Sequence, residues 1–400
     1  MDPIKNPFAP GAGAPPPALT GRDGEIEAFR VMVGRLKIGR PTKSMMLTGL
    51  RGVGKTVLLT AFRDTAENQR FITGSTEITH EMDFKATVAR LARRAILALN
   101  PVESIKDKAW KAAGVLKAFS IKIPGGGEIG FNIEALRGKG DSGQFHDDLS
   151  DLFVAIGEAA KEKKTGVLFF FDEIQFLKRE GLEALIAATH QVSQRSLPVG
   201  IVGAGLPQLP RIAGEAKSYA ERLFDFPKID RLDEAAAKSA LELPAGQQGV
   251  TFEGGAIDAI LKFTGGYPYF LQEYGKHVWN IAKDAIISRQ DIEMARHAVI
   301  AQLDENFFRV RIDRTTAAER NYVVAMAHLG RGPYRTGDIA ARIGRQSTTV
   351  APLRGQLINK GLVFGPTYGM TDFTVPQFDD FLRRNFPAPT PAKKSKSRSR

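Results

Sequence analysis

The chain has 400 residues, of which 56 are Lys or Arg and 44 are Asp or Glu, so its formal net charge is +12. With 43% hydrophobic and 25% charged residues, its composition is that of a globular protein with material for two or three domains. It contains no Cys, which excludes disulfides, thiolate nucleophiles and Cys-ligated metals. No apolar run approaches the ~20 residues of a membrane span, so we expect a cytoplasmic protein with no membrane partner.

The positive charge is concentrated towards the C-terminus. Residues 393–400 hold five basic side chains and no acid, and nine basic side chains stand against five acids between Glu319 and Arg384. Only about +3 is left for the other three quarters of the chain. This asymmetry predicts a polyanionic partner, most simply duplex DNA, with a solvated basic surface as the alternative.

Residues 1–20 are rich in Pro, Gly and Ala, which predicts an irregular N-terminal segment. Residues 21–230 then alternate between helical patterns and short apolar runs, as in an α/β domain with a parallel sheet. The expected strands are Ser44–Thr48, Phe71–Ile78, Gly166–Asp172, Val199–Val202 and Phe224–Ile229. An insert at 101–145 predicts a helix at Ile105–Leu116 and a β-hairpin with strands at Phe119–Ile123 and Ile129–Ile133.

The remaining residues predict three further segments. Residues 231–303 show only helical patterns, and 304–314 are expected to be a linker. A compact unit follows at 315–386, and the low-complexity basic tail at 387–400 is expected to be disordered.

A complete phosphate-loop pattern, G-x-x-x-x-G-K-[ST], follows the first predicted strand; its residues are Gly49, Leu50, Arg51, Gly52, Val53, Gly54, Lys55 and Thr56. Glycines let successive backbone N–H groups turn towards phosphates, and Lys55 adds a positive charge on them. Thr56 offers a hydroxyl to Mg²⁺, and the helix that starts there directs its positive end at the same anion. The pattern predicts an ATP site with Mg²⁺.

Two carboxylates end the most apolar predicted strand. Asp172 comes at the carboxyl edge of the sheet, where it can hold Mg²⁺ through water, and Glu173 can orient and deprotonate the attacking water. Apolar strands that end in Asp-Glu are common, so this pair is informative mainly together with the phosphate loop.

With these motifs the chain resembles the AAA+ ATPases, in the branch of Orc-like initiators, archaeal-type ATPases and STAND signalling ATPases. The resemblance implies a P-loop core of five strands, an all-helical lid, and a homo-oligomer formed through the ATP site. It also implies that Gly21 and Arg22 lie near the nucleotide, that Pro268 of the lid contacts it, and that Arg222 acts as an arginine finger. Arg222 could equally be a surface salt-bridge residue, and Pro268 a helix-start proline.

The chain departs from the family pattern at two points. The fourth strand ends Val202-Gly203-Ala204-Gly205, where the family usually has a polar residue that helps to place the water. The lid carries Gly266-Tyr267-Pro268, where initiators often have an Arg on the γ-phosphate. Both departures favour a slow switch over a motor.

The C-terminal unit predicts three helices followed by a hairpin, and it resembles a winged-helix domain. Its third helix, about Val350–Lys360, accommodates Pro352 only in its first turn. Recognition helices present polar and basic residues near their N-termini. The expected DNA contacts are Arg345, Gln346, Ser347, Thr348, Thr349, Arg354, Lys360 and Tyr368. A winged helix used for protein contacts is the alternative.

The sequence therefore predicts an Orc-like ATPase that hydrolyses ATP slowly and couples nucleotide state to DNA binding. A nucleotide-gated STAND-type regulator or scaffold, acting through further protein partners with little hydrolysis, is the alternative. A metabolic kinase fits poorly, because the C-terminal unit is typical of nucleic-acid readers rather than of substrate lids.

Overall fold

A parallel sheet of five strands organises the first half of the chain in a computed structural model, which describes residues 1–11, 13–99, 107–121 and 139–389. The strands follow the order β2-β3-β4-β1-β5 across the sheet. They are β1 Ser44–Thr48, β2 Ile72–Glu77, β3 Val167–Asp172, β4 Val199–Gly205 and β5 Phe224–Asp225. Every residue of β1 and β4, and every residue of β3 before Asp172, is buried, as expected for strands covered on both faces. The predicted α/β fold with a parallel sheet is confirmed.

The chain divides into two units. The sheet unit comprises Arg22–Gly49 and Gly54–Ile229, and the helical unit comprises Met1–Gly21, Leu50–Val53 and Asp230–Arg400. The predicted core at 21–230 differs from the sheet unit by one residue at each end and by Leu50–Val53, which belong to the helical unit. The predicted lid, linker and C-terminal unit fall together in the helical unit. In the described part of the chain, no helix has the length and apolar character needed to cross a membrane.

Eight helices of the sheet unit fall within the described residues. They are α1 Asp23–Lys37, α2 Lys55–Asn68, α3 Phe84–Leu99, α4 Asp107–Ile121, α5 Phe145–Glu162, α6 Arg179–Gln194, α7 Leu209–Ala216 and α8 Ala220–Leu223. The strand predicted at Phe119–Ile123 is wrong where it can be examined, because α4 continues to Ile121. Phe119 is buried against Phe145 of α5, so packing favours the helix. The rest of the predicted hairpin lies outside the described residues.

Four helices of the helical unit fall within 231–303, where the sequence predicts a lid: α9 Glu234–Gln247, α10 Ala256–Thr264, α11 Pro268–Ile281 and α12 Arg289–Gln302. Two short parallel strands, β6 Thr251–Phe252 and β7 Ile286–Ile287, connect them. The segment predicted to be a linker, 304–314, is helical for most of its length. A π-helix at Leu303–Arg309 and a helical turn, α13 Val310–Ile312, continue from α12. Phe307 and Phe308 are buried there against Phe270, and this packing orders the segment.

The N-terminal segment packs on α11. After a 3₁₀ turn at Pro3–Lys5, Phe8 is only 3% exposed, and a Cβ on Gly275 would come within 2.8 Å of its ring. The indole N–H of Trp279 donates to the carbonyl oxygen of Asp2 at 2.9 Å. This segment is therefore part of the folded helical unit, although it is largely irregular.

The C-terminal elements follow the order helix, strand, helix, helix, strand, strand, helix. They are α14 Ala317–Ala327, β8 Tyr334–Arg335, α15 Thr336–Arg342, α16 Ser347–Asn359, β9 Val363–Phe364, β10 Met370–Phe373 and α17 Phe378–Asn385. The three strands form an antiparallel sheet in the order β8-β10-β9. Helix α16 begins three residues earlier than predicted, which places Pro352 inside the helix rather than in its first turn.

Candidate functional site

The phosphate loop joins β1 to α2. Gly52 and Gly54 have φ angles of +85° and +95°, which place them in the left-handed region where a side chain would be strained. The loop can therefore curl between the strand and the helix. Within the sheet unit, Lys55 is 7% exposed, and its ammonium group donates a hydrogen bond of 2.9 Å to the carbonyl oxygen of Gly49. The lysine is thus held inside the loop, where an anion cradled by the backbone would meet it.

The sheet unit also brings Thr56 and Asp172 together. The Thr56 hydroxyl donates to Oδ2 of Asp172 at 2.5 Å, and the backbone N–H of Glu173 donates to Oδ1 at 2.8 Å. Burial raises the pKa of Asp172 above its ordinary value, although these two hydrogen bonds and the charge of Lys55 oppose the rise. A divalent cation would favour the ionised carboxylate.

Magnesium fits this pair of oxygens. Mg²⁺ is commonly bound through one or two protein oxygens and the phosphates of its nucleotide. Within the described ranges, no group of three or more His, Cys, Asp or Glu residues could hold a metal by itself. Thr56 and Asp172 are therefore the residues of the sheet unit that would hold Mg²⁺ together with nucleotide phosphates.

Glu173 has an unusual backbone conformation. Its φ of +51° and ψ of +36° lie in the left-handed region, which non-glycine residues rarely adopt. A short 3₁₀ turn at Ile174–Phe176 follows directly, and the side-chain amide of Gln175 donates to Oε2 of Glu173. The amide oxygen of Gln175 accepts a hydrogen bond from the backbone N–H of Leu206, which becomes its neighbour only in the folded sheet.

Arg222 lies in α8, the single helical turn before β5. The residue is exposed, and it makes no salt bridge among the residues that the structure describes. Residues Lys217–Tyr219 separate α8 from the preceding helix, α7. Arg222 is therefore available to a partner outside its own sheet unit.

The loop residues that belong to the helical unit contact two of its segments. The backbone N–H of Tyr269 donates to the carbonyl oxygen of Gly52 at 3.3 Å, one residue after Pro268 starts α11. The N–H of Arg51 donates to the carbonyl oxygen of Thr374 at 3.0 Å. The structure thus places the Gly-Tyr-Pro segment beside the tip of the phosphate loop.

The two remaining nucleotide candidates lie at the start of the predicted core. Gly21 has a φ of +65° and packs on Ala236 of α9, within the helical unit. Arg22 is the first residue of the sheet unit, precedes α1 and is 7% exposed.

Five of the predicted DNA contacts form one exposed run at the start of α16. They are Arg345, Gln346, Ser347, Thr348 and Thr349. Tyr368 is fully exposed at the turn between β9 and β10. These residues have the exposure that contact with a nucleic acid needs.

Arg354 and Lys360 form hydrogen bonds with other residues of the helical unit. The guanidinium group of Arg354 donates to the Thr371 hydroxyl at 2.8 Å and to the Met370 carbonyl oxygen at 2.9 Å. The ammonium group of Lys360 lies 2.6 Å from a carboxylate oxygen of Glu319, which is 1% exposed. Burial would raise the pKa of Glu319, but the hydrogen bonds from Lys360 and Thr316 hold it below its ordinary value. Both basic residues therefore have partners within the helical unit, and their contacts with DNA stay predictions.

Comparisons with known proteins agree with this geometry. A family model described as an AAA ATPase domain matches residues 18–202, which include the phosphate loop and Asp172. The fold is that of a P-loop ATPase. A second model, described as a domain of unknown function, matches residues 305–382.

The structure is similar to that of a Walker-type ATPase of Pyrococcus abyssi, at a TM-score of 0.58 and 15% identity over 94% of this chain and 99% of that one. It also aligns with Aeropyrum pernix Orc1 in complex with DNA, at a TM-score of 0.44 and 14% identity over 92% of this chain and 93% of that one. The RuvB Holliday junction branch migration motor of Thermotoga maritima gives a TM-score of 0.43 and 14% identity over 92% and 96% of the two chains. No curated protein sequence matches the chain significantly.

Proposed function

We propose that this chain binds ATP with Mg²⁺, hydrolyses it slowly, and couples its nucleotide state to the binding of duplex DNA. The observation that carries the binding of Mg–ATP is the hydrogen bond between Thr56 and Asp172 beside the phosphate loop. The side chain of Lys55 already lies inside that loop. This combination is what Mg–nucleotide binding requires in P-loop ATPases. A Gly-rich turn without a ligand needs no carboxylate at that position.

Each candidate site residue of the sheet unit that is named below has a defined role in this proposal. Backbone N–H groups of the phosphate loop and the start of α2 bind the phosphates, and Lys55 balances their charge. Thr56 and Asp172 would hold Mg²⁺, which would neutralise charge on the phosphate oxygens. Glu173 accepts the proton of the water that attacks the γ-phosphate in line with the leaving oxygen.

We expect Lys55→Ala to abolish ATP binding, because the phosphates lose the cationic side chain that is hydrogen-bonded inside the loop. Isothermal titration with Mg–ATP measures this directly. Lys43→Ala is the matched control, since Lys43 is an exposed lysine at the start of β1 that pairs with Asp225. If both variants bind ATP as the unaltered chain does, the proposed nucleotide site fails.

Duplex DNA is the partner that the helical unit supports best. Its C-terminal elements follow the order of a winged helix, and the start of α16 exposes Arg345 together with four polar side chains. The turn that carries Tyr368 would be the wing. The basic residues 393–400, whose structure lies outside the described ranges, would add contacts to phosphates only.

Arg345→Ala should weaken duplex binding at low salt, because it removes an exposed cation from the start of α16. Arg211→Ala, which removes the same charge from α7, should leave binding unchanged.

Deletion of 393–400 should weaken binding to all sequences alike. It should also reduce the slope of log Kobs against log salt concentration by about 0.9 for each DNA phosphate that the tail neutralises. Retention of labelled duplexes at several salt concentrations measures all three. If neither Arg345→Ala nor the deletion of 393–400 alters retention, the DNA-binding proposal fails, and a protein partner of the C-terminal unit becomes the better explanation.

One observation favours the second candidate function, a nucleotide-gated regulator. Strand β4 ends in Gly203-Ala204-Gly205 and so offers no polar side chain that could help to place the water. Such a regulator would bind ATP at the same loop and act through protein partners with little turnover. A steady-state ATPase assay with and without duplex DNA separates the two, because only the first candidate predicts turnover that responds to DNA.

A further inference from the structure

Gln175 lies at the centre of the 3₁₀ turn that follows Glu173. The turn is closed by two backbone hydrogen bonds, from Phe176 N–H to the Glu173 carbonyl and from Leu177 N–H to the Ile174 carbonyl, both at 3.0 Å. Ile174 is fully buried under the turn and anchors it. The backbone around Glu173 and Gln175 is therefore fixed before any side chain is considered.

Both the oxygen and the nitrogen of the Gln175 side-chain amide form hydrogen bonds within the sheet unit. Its oxygen accepts a hydrogen bond of 3.0 Å from the backbone N–H of Leu206, and its nitrogen donates to Oε2 of Glu173. The orientation of the amide is chemically determined, because a backbone N–H must meet the oxygen and a carboxylate must meet the NH₂ group. Gln175 therefore connects the Glu173 carboxylate to the chain that leaves β4.

Gly205, the last residue of β4, makes this connection possible. A Cβ at Gly205 would lie 2.7 Å from Oε1 of Gln175, closer than real contacts allow. The carbonyl oxygen of Gly205 also accepts a hydrogen bond of 3.1 Å from the N–H of Gly49, where the phosphate loop begins. The same short stretch, Gly205–Leu206, thus contacts the amide that holds Glu173 and the first residue of the loop.

We propose that Gln175 is the positioning residue for Glu173, and that it takes the place of the polar side chain that β4 lacks. At the end of β4, Gly205 leaves space for the Gln175 side chain, and the backbone N–H of Leu206 donates a hydrogen bond to its oxygen. Its amide holds the carboxylate at a fixed place relative to the phosphate loop. This inference rests on the proposed ATP hydrolysis, in which Glu173 is the base.

Gln175→Ala should lower kcat by about 10- to 10²-fold, since a misplacement of roughly 1 Å can cost 10²-fold in rate. KM for ATP should stay the same, because the amide of Gln175 bonds to Glu173 and Leu206 rather than to the phosphate loop or the Mg²⁺ ligands. Gln175→Glu is the sharper variant. It keeps the length and the acceptor for Leu206, but it replaces the N–H donor with an oxygen that repels the Glu173 carboxylate. It should lose at least as much kcat as Gln175→Ala.

A glycine pair supplies a test that leaves Gln175 itself intact. Gly205→Ala should reproduce the loss of kcat, because the new methyl group displaces the Gln175 amide. Gly203→Ala is the matched control. It adds the same methyl group to the same strand, but the nearest atoms are those of Ile174 and Met46, at 3.3 and 3.4 Å. Thermal unfolding of each variant identifies any that fails to fold.

A double variant distinguishes positioning from a general structural role. In a Glu173→Gln background, Gln175→Ala should cause no further loss of kcat, because the residue on which it acts is already disabled. A purely structural loss would add to that of Glu173→Gln. Additive losses, or a kcat for Gln175→Ala equal to or above that of the unaltered chain, overturn the inference.

The same set of measurements separates this inference from the proposed function. If Glu173→Gln slows hydrolysis and Gln175→Ala does not, the positioning role fails and the ATPase stands. If the unaltered chain does not bind ATP in the titration, the proposed function fails, and the inference fails with it.

Discussion

Glu173→Gln should bind Mg–ATP as tightly as the unaltered chain does and hydrolyse it at least ~10²-fold more slowly, the lower end of the contribution of a general base. The substitution replaces one carboxylate oxygen by an amide, so the side chain keeps its size but can no longer accept a proton from water. ATP binding is unaffected because the phosphates are bound by the loop and by Lys55. Single-turnover hydrolysis and equilibrium titration measure the two effects separately.

Glu77→Gln is a suitable control for this experiment. Glu77 ends β2, the neighbour of β3 in the sheet, and it is paired in register with Asp172, but its side chain is exposed. The variant makes the same chemical change at the same edge of the sheet and should hydrolyse ATP at the normal rate. Equal turnover by Glu173→Gln and the unaltered chain would remove Glu173 from the mechanism.

Arg222→Ala should bind ATP normally and lose ~10³–10⁵-fold in hydrolysis if Arg222 completes the active site of a neighbouring subunit. An arginine in that position stabilises the charge that develops on the transferred phosphoryl group. The residue is exposed on α8 and makes no salt bridge within the described part of its own chain, as a residue that reaches another copy requires.

Mixing two inactive variants is the decisive measurement for Arg222. A Lys55→Ala subunit keeps Arg222 but cannot bind ATP, whereas an Arg222→Ala subunit binds ATP but offers no arginine. The mixture should recover part of the activity that each variant lacks, and specific activity should rise with protein concentration. If the mixture stays inactive and the activity of the unaltered chain does not depend on concentration, Arg222 acts within its own chain or only stabilises it.

The sheet was predictable because its strands are marked locally. Val167–Phe171 is apolar at every position, which is typical of a short strand buried on both faces of a parallel sheet. Strand β1 was predicted with its observed bounds, because the glycine-rich loop marks where it ends. The phosphate loop was equally local, since its chemistry depends on eight consecutive residues.

The errors arose where distant residues decide the local structure. Phe119 follows an alternating pattern with its neighbours, yet contacts with α3 and α5 keep it in a helix. The segment around Phe307 and Phe308 is polar enough to suggest a linker, but its two aromatic rings pack against Phe270 and Phe378. Tertiary packing outweighs a short periodic signal in both cases.

The same reason explains what was missed in the candidate site. The hydrogen bond between Gln175 and Leu206 could not be predicted from the sequence, because Leu206 lies 31 residues further along the chain. The ion pair of Lys360 was equally unpredictable, because its partner Glu319 lies 41 residues before it and is buried. A basic residue near the end of an exposed helix gives no local sign that its charge is already used.

The left-handed backbone of Glu173 implies a conflict between stability and activity at this position. Holding a residue with a Cβ in that conformation costs roughly 1–2 kcal/mol, a cost that glycine avoids. Selection for a more stable chain would therefore favour glycine at position 173, and selection for hydrolysis would favour the carboxylate. A descendant that needed only to bind ATP could relax the strain and lose turnover in one substitution.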